Sequence, residues 1–456
     1  MKQALLLAVF SVAVLAPSLT RAEWKAGAAK TVITPEKLMW MSGYGARNKP
    51  AEGKLTDLWA KALILEADNG QKLCLVTLDL VGIDRVLSQD LKSLIHEQSG
   101  LKEEEVVFCC SHTHTGPVVR GNLKAMYAFG GDASQPALID EYLALLRTRI
   151  PAVVAEAVKD LAPSEVAWAN GSAEFAVNRR NNKEPDVPKL RAEGKLVGPV
   201  DHSVPVLSVR RDKKLRAVAF GYACHATVLS FYQWSGDYPG FAMTALENEY
   251  PDAVALFWAG CGADQNPLPR REVQLAEDYG KQLATAVSNV LKGDMKTVKG
   301  PAAAKSSEID LGFATIPTRE ELEKTAAGPD SPEARRAKVL LMSWVFLSDW
   351  PVNFKYPYPI QTWTLGDGPR WTFLGGEVVV DYSLRLKKEL GKGNTWVAGY
   401  SNDVMAYIPS ERVLKEGGYE GATAMLYYGL PSPWAAGIED QVVNEVRRLL
   451  ENSSPR

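Results

Sequence analysis

The sequence predicts an α/β protein with a mixed β-sheet core that is covered by helices. Apolar runs typical of strands are interspersed along the chain with stretches that have helical apolar spacing. Several strands are expected to pair as hairpins, so antiparallel neighbours should occur beside strand–helix units. Of the 456 residues, 46% are hydrophobic and 9% are aromatic, which is typical of a folded protein with a large core.

The charge balance excludes a polybasic protein. The chain has 52 Lys and Arg residues against 54 Asp and Glu residues, which gives a formal net charge of −2. Proteins that bind nucleic acids through their charge have a marked excess of positive residues. We therefore expect no nucleic-acid partner.

The first 22 residues have the pattern of a secretory signal peptide. Met1 and Lys2 provide a cationic start, an apolar run follows at 4–16, and small residues flank Arg21. The run is shorter than the ~20 residues that span a bilayer, which disfavours the alternative of an uncleaved anchor. We expect a secreted or periplasmic protein with a single domain at 23–456 and a transient contact with a membrane surface.

The first half of the chain alternates hairpins with strand–helix units. A hairpin is predicted from strands at 59–66 and 72–80, because Asn69-Gly70 between them is a strong turn signal. The further elements, predicted from their apolar spacing, are a helix at 86–98, a strand at 106–110, a helix at 138–158, a hairpin of strands at 204–209 and 215–223, a helix at 241–249, a strand at 253–258 and a helix at 273–291.

A Lys- and Ala-rich stretch at 292–305 with a Gly-Pro step is the candidate joint between two subdomains. The elements predicted after it are a helix at 319–347, a hairpin at 362–374, a helix at 378–390, a strand at 395–399 and a final helix at 436–451.

The five cysteines do not form a disulfide framework, because their number is odd and small for the chain length. Four of them lie in apolar, strand-like contexts and are expected to be buried thiols. The fifth, Cys261, lies in the Gly- and Ala-rich loop 259–267, whose backbone N–H groups suit an oxyanion. A thiolate nucleophile there is disfavoured, because no Cys-His-Asn family signature surrounds it.

Two histidines directly follow a predicted buried strand. His112 and His114 are two positions apart in the loop 110–117, so their side chains point to the same side of the strand end. Loops at strand ends are where α/β folds place their chemistry. The pair predicts either a metal site or two loop histidines that bind the backbone.

Three further residues are candidate metal ligands. His225 ends the apolar strand at 218–224, as His112 ends its own strand. Glu377 follows a double glycine at a helix start, where the helix dipole favours a carboxylate even without a metal. Tyr407 lies in a polar loop, and spacing alone makes it a packing residue more often than a ligand. A hydrolytic zinc site needs three or four N or O ligands and an open position.

Taken together, these motifs resemble the neutral/alkaline non-lysosomal ceramidase family. They occur in the family's order over residues 26–429, and the histidine loop is the most specific of them. The matching motifs are His112-Thr113-His114-Thr115-Gly116-Pro117, Asn178-Arg179, Cys224-His225-Ala226-Thr227, Gly236-Asp237-Tyr238-Pro239-Gly240, Phe373-Leu374-Gly375-Gly376-Glu377, and Ser401-Asn402-Asp403 with Tyr407 and Gly418-Tyr419-Glu420-Gly421.

The resemblance implies a catalytic zinc ion and a water nucleophile that attacks the amide carbonyl of an N-acylsphingosine. It implies zinc ligands at four positions, His114 as a nearby polar or proton-transfer residue, and Asn178-Arg179 near the substrate head. The implied ligands are His112, His225, Glu377 and Tyr407.

The chain departs from the family pattern at two points. The family's Gly-x-x-Ser-Pro-Asn motif corresponds to residues 262–267, where Gln265 replaces the serine. Glutamine donates hydrogen bonds but is not a nucleophile, so we expect Gln265 to act on rate or specificity while water attacks. We also expect the family's C-terminal β domain to be absent.

The leading hypothesis is therefore an exported, zinc-dependent hydrolase of C–N amide bonds whose substrate is a small-molecule or lipid amide. One alternative is a metal-dependent esterase or phosphoesterase on the same scaffold. A second alternative is a binding protein that keeps the metal without catalysis, because the serine is lost. The sequence indicates no oligomeric state.

Overall fold

The fold is described from a computed structural model that covers residues 24–346 and 354–451, without the side chains of 344–346. The predicted signal peptide at 1–22 lies outside the described residues, as does Leu347 at the end of a predicted helix. Within the described ranges, no helix combines the length and the apolar character that a bilayer crossing requires.

Two β-sheets and three short strand pairs form the framework of the described chain. The strands are β1 (Trp24–Val32), β2 (Gly53–Lys54), β3 (Trp59–Ala67), β4 (Lys72–Leu78), β5 (Val106–Cys110), β6 (Ala162–Ser172), β7 (Ala176–Asn178), β8 (Ser203–Arg211), β9 (Lys214–Tyr222), β10 (Gln233–Trp234), β11 (Val254–Ala259), β12 (Gln265–Pro267), β13 (Lys296–Thr297), β14 (Ala302–Gly312), β15 (Lys355–Leu365), β16 (Arg370–Leu374), β17 (Glu377–Val378), β18 (Thr395–Ala398) and β19 (Tyr407–Ile408).

Helices cover the outer faces of both sheets. They are α1 (Arg85–Ser99), α2 (Gln135–Lys159), α3 (Val187–Ala192), α4 (Asp237–Glu249), α5 (Val273–Lys292), α6 (Arg319–Ala326), α7 (Pro332–Phe346), α8 (Val380–Leu390), α9 (Glu411–Glu416), α10 (Met425–Tyr428) and α11 (Ile438–Glu451).

The larger sheet has the strand order β11-β9-β8-β6-β1-β3-β4-β5, and β13 also pairs with β6. Its outermost pairs, β11 with β9 and β4 with β5, are parallel, whereas the pairs between them are antiparallel. The smaller sheet has the order β14-β15-β16-β18. This mixed arrangement with helical cover confirms the predicted α/β class.

A tryptophan-rich core joins the two sheets. Trp258 comes from the larger sheet, and Trp363, Trp371 and Trp396 come from the smaller one. The ring centroids of Trp258 and Trp371 lie 5.2 Å apart, and those of Trp371 and Trp396 are equally close. The candidate joint at 292–305 carries the chain from β13 in the larger sheet to β14 in the smaller one. The two sheets therefore share one buried core.

Two turns explain how the predicted hairpins form. Gly70 between β3 and β4 has φ +78°, which glycine adopts without steric cost. Between β8 and β9, Asp212 and Lys213 have φ +51° and +66°, the left-handed pair that a two-residue hairpin turn requires. Both hairpins lie where the apolar alternation predicts them.

The single helix predicted at 319–347 is wrong, since α6 ends at Ala326 and α7 begins at Pro332. Gly328 and Pro329 interrupt the helical pattern, because glycine weakens a helix and proline removes a backbone donor. The five cysteines are all free and buried. Burial raises the pKa of the Cys261 thiol, which removes the thiolate that a nucleophile needs.

A buried ion pair links α8 to the start of β8. Lys387 Nζ lies 2.5 Å from Asp201 Oδ2, and the Ser383 hydroxyl donates to the same oxygen. Burial raises the pKa of Asp201, but Lys387 and the hydroxyls of Ser203 and Ser383 outweigh burial and hold it below its usual range. The carboxylate therefore depends on its cation.

We expect Lys387→Met to destabilise the protein by about 3–5 kcal/mol at neutral pH, because it leaves the Asp201 carboxylate buried and unpaired. Since the pKa of Asp201 is lowered in the folded state, the carboxylate's contribution is complete above the unfolded value and is lost below about pH 4. Urea unfolding measures the change. The exposed neighbour Lys388 gives the matched control, Lys388→Met, and an equal loss in both variants contradicts the prediction.

Candidate metal centre

The histidine loop begins where β5 ends, beside the end of the parallel strand β4. The His112 backbone has φ +60°, and its N–H donates to the carbonyl of Leu80 at 3.0 Å. The Nδ1 atom of His112 lies 2.6 Å from the carbonyl of Val81. A carbonyl only accepts, so Nδ1 carries the hydrogen and Nε2 presents its lone pair.

His225 is held in the same way after β9. Its backbone N–H donates to the carbonyl of Gln265 at 2.9 Å, and its Nδ1 donates to the carbonyl of Gly262 at 2.8 Å. This hydrogen bond again leaves Nε2 as the free acceptor. Both imidazoles therefore turn an unprotonated nitrogen away from the backbone that fixes them.

The parallel pairing of β17 with β19 brings the two remaining predicted ligands together. In its register, Glu377 is opposite Tyr407, although the two residues are far apart in sequence. Gly376 turns the chain into β17 at φ +76°, and a Cβ there would lie 2.7 Å from the carbonyl oxygen of Ala406. The double glycine thus allows the close approach of the two strands.

The four predicted ligands and His114 meet at one buried point. Glu377 Oε2 lies 3.2 Å from His112 Nε2 and 3.1 Å from His225 Nε2. The Tyr407 hydroxyl lies 3.5 Å from His225 Nε2, and His114 Nε2 lies 3.1 Å from His112 Nε2. The three histidines alone also group as a set that could hold a metal ion. The structure therefore offers five donor atoms around one centre.

The donor atoms fit a small divalent cation. The ligands of a tetrahedral zinc ion with bonds of about 2.0 Å are about 3.3 Å apart, close to the separations of 3.1–3.5 Å here. Glu377 Oε2 is buried without a hydrogen-bond partner in the described structure. Two imidazole lone pairs and a carboxylate oxygen at such distances repel one another unless a positive charge lies between them.

The protonation states of the cluster suit a cation. Burial and the Arg179 guanidinium lower the pKa of His225 to about 4, and burial with the neighbouring histidines lowers the pKa of His114 well below its usual value. Burial raises the pKa of Glu377, but His112 and His225 outweigh burial and hold it well below its ordinary range. At neutral pH His114 and His225 are therefore neutral and Glu377 is an anion.

Outer contacts orient the donor atoms. The Tyr428 hydroxyl donates to Glu377 Oε1 in a short hydrogen bond, which leaves Oε2 for the centre. Arg179 donates from Nη2 to the Tyr407 oxygen at 3.1 Å and from Nε to Glu420 Oε1 at 2.7 Å. Metal ligands are usually held by such second contacts.

Sequence reasoning missed Tyr428 and Tyr400, whose ring centroid lies 4.4 Å from that of His112. Tyr428 ends the four-residue helix α10, which is too short to show a periodic pattern. Tyr400 follows β18 at φ +52°, and only its position after a strand could have indicated it.

The Gln265 side chain does not reach the cleft described next, although the sequence predicts that it acts on rate or specificity. Its side chain is fully buried, and its amide donates to the carbonyls of Ala223 and Cys261 while accepting from the Asp201 N–H. The direct link of Gln265 to the centre is its backbone carbonyl, which holds the His225 N–H.

A cleft of about 590 Å³ opens over the centre. His114, His225 and Tyr407 line it together with Arg179, so the cleft reaches the buried donor cluster. Two polar atoms at its wall, His114 Nδ1 and Thr227 Oγ1, are buried without a hydrogen-bond partner in the described structure. Two unpartnered polar atoms therefore lie behind the wall of the cleft, beside the donor cluster.

Two solved structures share the fold. One is described as a ceramidase complexed with C2, with a TM-score of 0.72, and the other is neutral ceramidase from Pseudomonas aeruginosa, with a TM-score of 0.71. Each is 19% identical in sequence, and the alignment covers 95% of this chain and 76% of the other. At this identity the likeness establishes the fold alone. No curated protein sequence matches the chain.

A family model described as neutral/alkaline non-lysosomal ceramidase, N-terminal, matches residues 24–339. The match includes His112, His114 and His225, whereas Glu377 and Tyr407 lie beyond it. It spans well over half of the chain and agrees with the fold. The chain belongs to the neutral/alkaline non-lysosomal ceramidase family.

Proposed function

We propose that this protein is a zinc-dependent amidohydrolase that cleaves the C–N bond of an N-acyl compound with water. Family membership supports a ceramidase-like hydrolase. The observation that carries the proposal is the approach of His112 Nε2 and His225 Nε2 to Glu377 Oε2, at 3.2 and 3.1 Å. These atoms are N and O donors of the kind found at catalytic zinc sites.

In this proposal, His112, His225, Glu377 and Tyr407 hold the zinc ion. Zinc lowers the pKa of water toward ~7 and polarises a carbonyl when it is bound at such a site. Burial and Glu377 raise the pKa of Tyr407 well above its usual value, and the Arg179 guanidinium opposes this rise, so the phenolate form would depend on the bound cation. Tyr428 keeps one Glu377 oxygen engaged, so the other faces the centre.

His114 supplies the proton-transfer group. It is neutral at neutral pH, lines the cleft and has an unpartnered Nδ1 atom. A neutral imidazole beside the reacting carbonyl accepts a proton from water and delivers it to the departing nitrogen. The oxygen of water then bonds to the carbonyl carbon, the C–N bond breaks, and a carboxylate and an amine are released.

Two observations favour water over a protein nucleophile. The Gln265 amide is buried and bound to backbone groups, and the Cys261 thiol is fully buried with a raised pKa. Among the described residues that line the cleft, Thr227 is the one with an aliphatic hydroxyl group. The Thr227 Oγ1 atom is itself buried, which disfavours it as the nucleophile.

We also propose that the protein acts outside the cytoplasm. The support is the sequence pattern of residues 1–22, with its cationic start, short apolar run and small residues before Glu23. Amino-terminal sequencing of the protein from the culture supernatant or periplasm tests this step, and a retained Met1 contradicts it.

We expect His112→Ala and His225→Ala each to lose zinc and to lower amide hydrolysis by more than about 100-fold, because even partners outside the ligand set are worth about 10–100-fold. Metal analysis by mass spectrometry and release of fatty acid measure the two effects. His96→Ala is the matched control, because His96 is exposed in α1. Full zinc content in both ligand variants contradicts the assignment.

Assays of the unsubstituted, zinc-loaded protein decide between the proposed reaction and its alternatives. We expect turnover of N-acyl amides to exceed that of an acyl ester and of an aryl phosphate in matched assays. Faster cleavage of the ester or the phosphate overturns the amide assignment. Zinc binding without cleavage of any of the three overturns catalysis.

We expect Tyr428→Phe to lower zinc affinity or activity about 10- to 100-fold, because it removes the hydroxyl that holds Glu377 Oε1. A competition titration with a zinc chelator gives the affinity. Tyr427→Phe is the control, because Tyr427 precedes it in α10 and makes a ring contact with Tyr419. Equal behaviour of the two variants contradicts the role of Tyr428.

A further inference from the structure

We propose that the cleft selects a water-soluble N-acyl compound that carries an anionic group, rather than a lipid with two long apolar chains. This inference rests on the proposed amidohydrolase function and names the substrate class of the same site. Its basis is the charge and chemistry of the cleft wall, which are independent of the metal ligands.

Cations dominate the wall of the cleft. Arg179, Arg180, Lys183 and Arg270 line it, and Glu184 and Glu420 are the acidic residues among the lining side chains. Four positive charges against two negative ones, beside a centre suited to a divalent cation, give the cleft a positive potential. Such a field attracts an anionic ligand and orients it toward the centre.

The acidic residues are already engaged by arginines. Glu420 binds Arg179 and Arg180, and Glu184 binds Arg270. Four of the described residues that line the cleft are Lys or Arg, and of these only Lys183 makes no ion pair. Its side chain is exposed. Lys183 is therefore the cation available to a substrate.

Hydrogen bonds hold in place the segment that carries Arg179, Arg180 and Lys183. The buried Asn182 side chain donates to the carbonyls of Asn178 and Val197 and accepts from the Val197 N–H. The Asn178 side chain donates to Asp264 and to the carbonyl of Pro199. A binding segment held in place in this way loses little conformational entropy when a ligand binds.

The same wall is poorly suited to a lipid. Among the described residues that line the cleft, Leu268 has the one aliphatic hydrocarbon side chain, since Gly43 has none. The other apolar surface comes from tyrosine rings. Of the exposed large apolar side chains in the described ranges, Tyr419 alone belongs to the cleft. A ligand with long alkyl chains needs an apolar lining. The cleft volume of about 590 Å³ is in the range of small-molecule sites.

The test compares two amides that differ only in charge, N-octanoylglycine and N-octanoylglycinamide. Hydrolysis of the octanoyl C–N bond gives octanoate and the free amine in both cases. We expect kcat/KM to be about tenfold higher for the acid, and the preference to shrink in 0.5 M NaCl, because salt screens exposed charges. N-octanoyl-O-phosphoethanolamine against N-octanoylethanolamine tests a phosphate in the same way, and a preference for either anion supports the proposal.

Lys183→Gln links the preference to the cleft. We expect it to raise KM for N-octanoylglycine about three- to fivefold, in line with an exposed charge pair, and to narrow the preference for the acid. Lys189→Gln is the matched control, because Lys189 is exposed in α3 and does not line the cleft. This control should leave KM within about twofold.

Three results overturn the inference while leaving the amidohydrolase function intact. They are equal kcat/KM for the anionic and the uncharged amide in both the glycine pair and the ethanolamine pair, faster cleavage of a long-chain ceramide than of any of these amides, and a preference that Lys183→Gln does not change. Each of them still requires amide hydrolysis. The inference and the proposed function therefore fail separately.

Binding of ketone analogues tests the inference even if no amide is cleaved. The zinc-loaded protein is titrated calorimetrically with 4-oxoundecanoate and with 4-oxoundecanamide, in which a methylene replaces the amide nitrogen. We expect the anion to bind about tenfold more tightly and to lose about three- to fivefold in Lys183→Gln. Equal binding of the two ketones overturns the inference.

Discussion

The meeting of His112 Nε2, His225 Nε2 and Glu377 Oε2 is the constraint on which the site depends. The Nδ1 atom of each imidazole is engaged by a backbone carbonyl, and both buried Nε2 atoms lie 3.1–3.2 Å from the buried carboxylate oxygen. Burying such a group without a positive charge costs free energy. The carbonyls of Val81 and Gly262 fix the imidazole tautomers, so the protein holds the lone pairs in place before any cation arrives.

The sequence predicts the site unevenly, for physical reasons. His112 and His225 follow apolar strands, so their places at strand ends can be predicted from pattern alone. Tyr407 cannot be predicted in this way, because β17 and β19 have two residues each and no periodicity. The parallel pairing that sets Glu377 beside Tyr407 joins distant segments, and only the family resemblance indicated it.

Other differences arise where tertiary structure decides the role of a residue. Gln265 lies in the loop where the family has its serine, but the side chain turns inward to the carbonyls of Ala223 and Cys261. No local pattern reveals the direction of a side chain in an irregular loop. The shared tryptophan core was also beyond prediction, because it needs the relative placement of two sheets. In the proposed function, the strand ends hold the metal ligands, and the segment at 178–184 contributes Arg179, Arg180 and Lys183 to the wall of the cleft.

The burial of the cysteines has a consequence for where the protein can work. All five thiols are buried within the two apolar cores, and burial raises the pKa of each. Thiol–disulfide exchange requires an accessible thiolate, so neither glutathione nor an oxidising isomerase reaches these sulfurs in the folded chain. The odd cysteine count therefore creates no tendency to cross-link, and the folded protein tolerates reducing and oxidising surroundings alike.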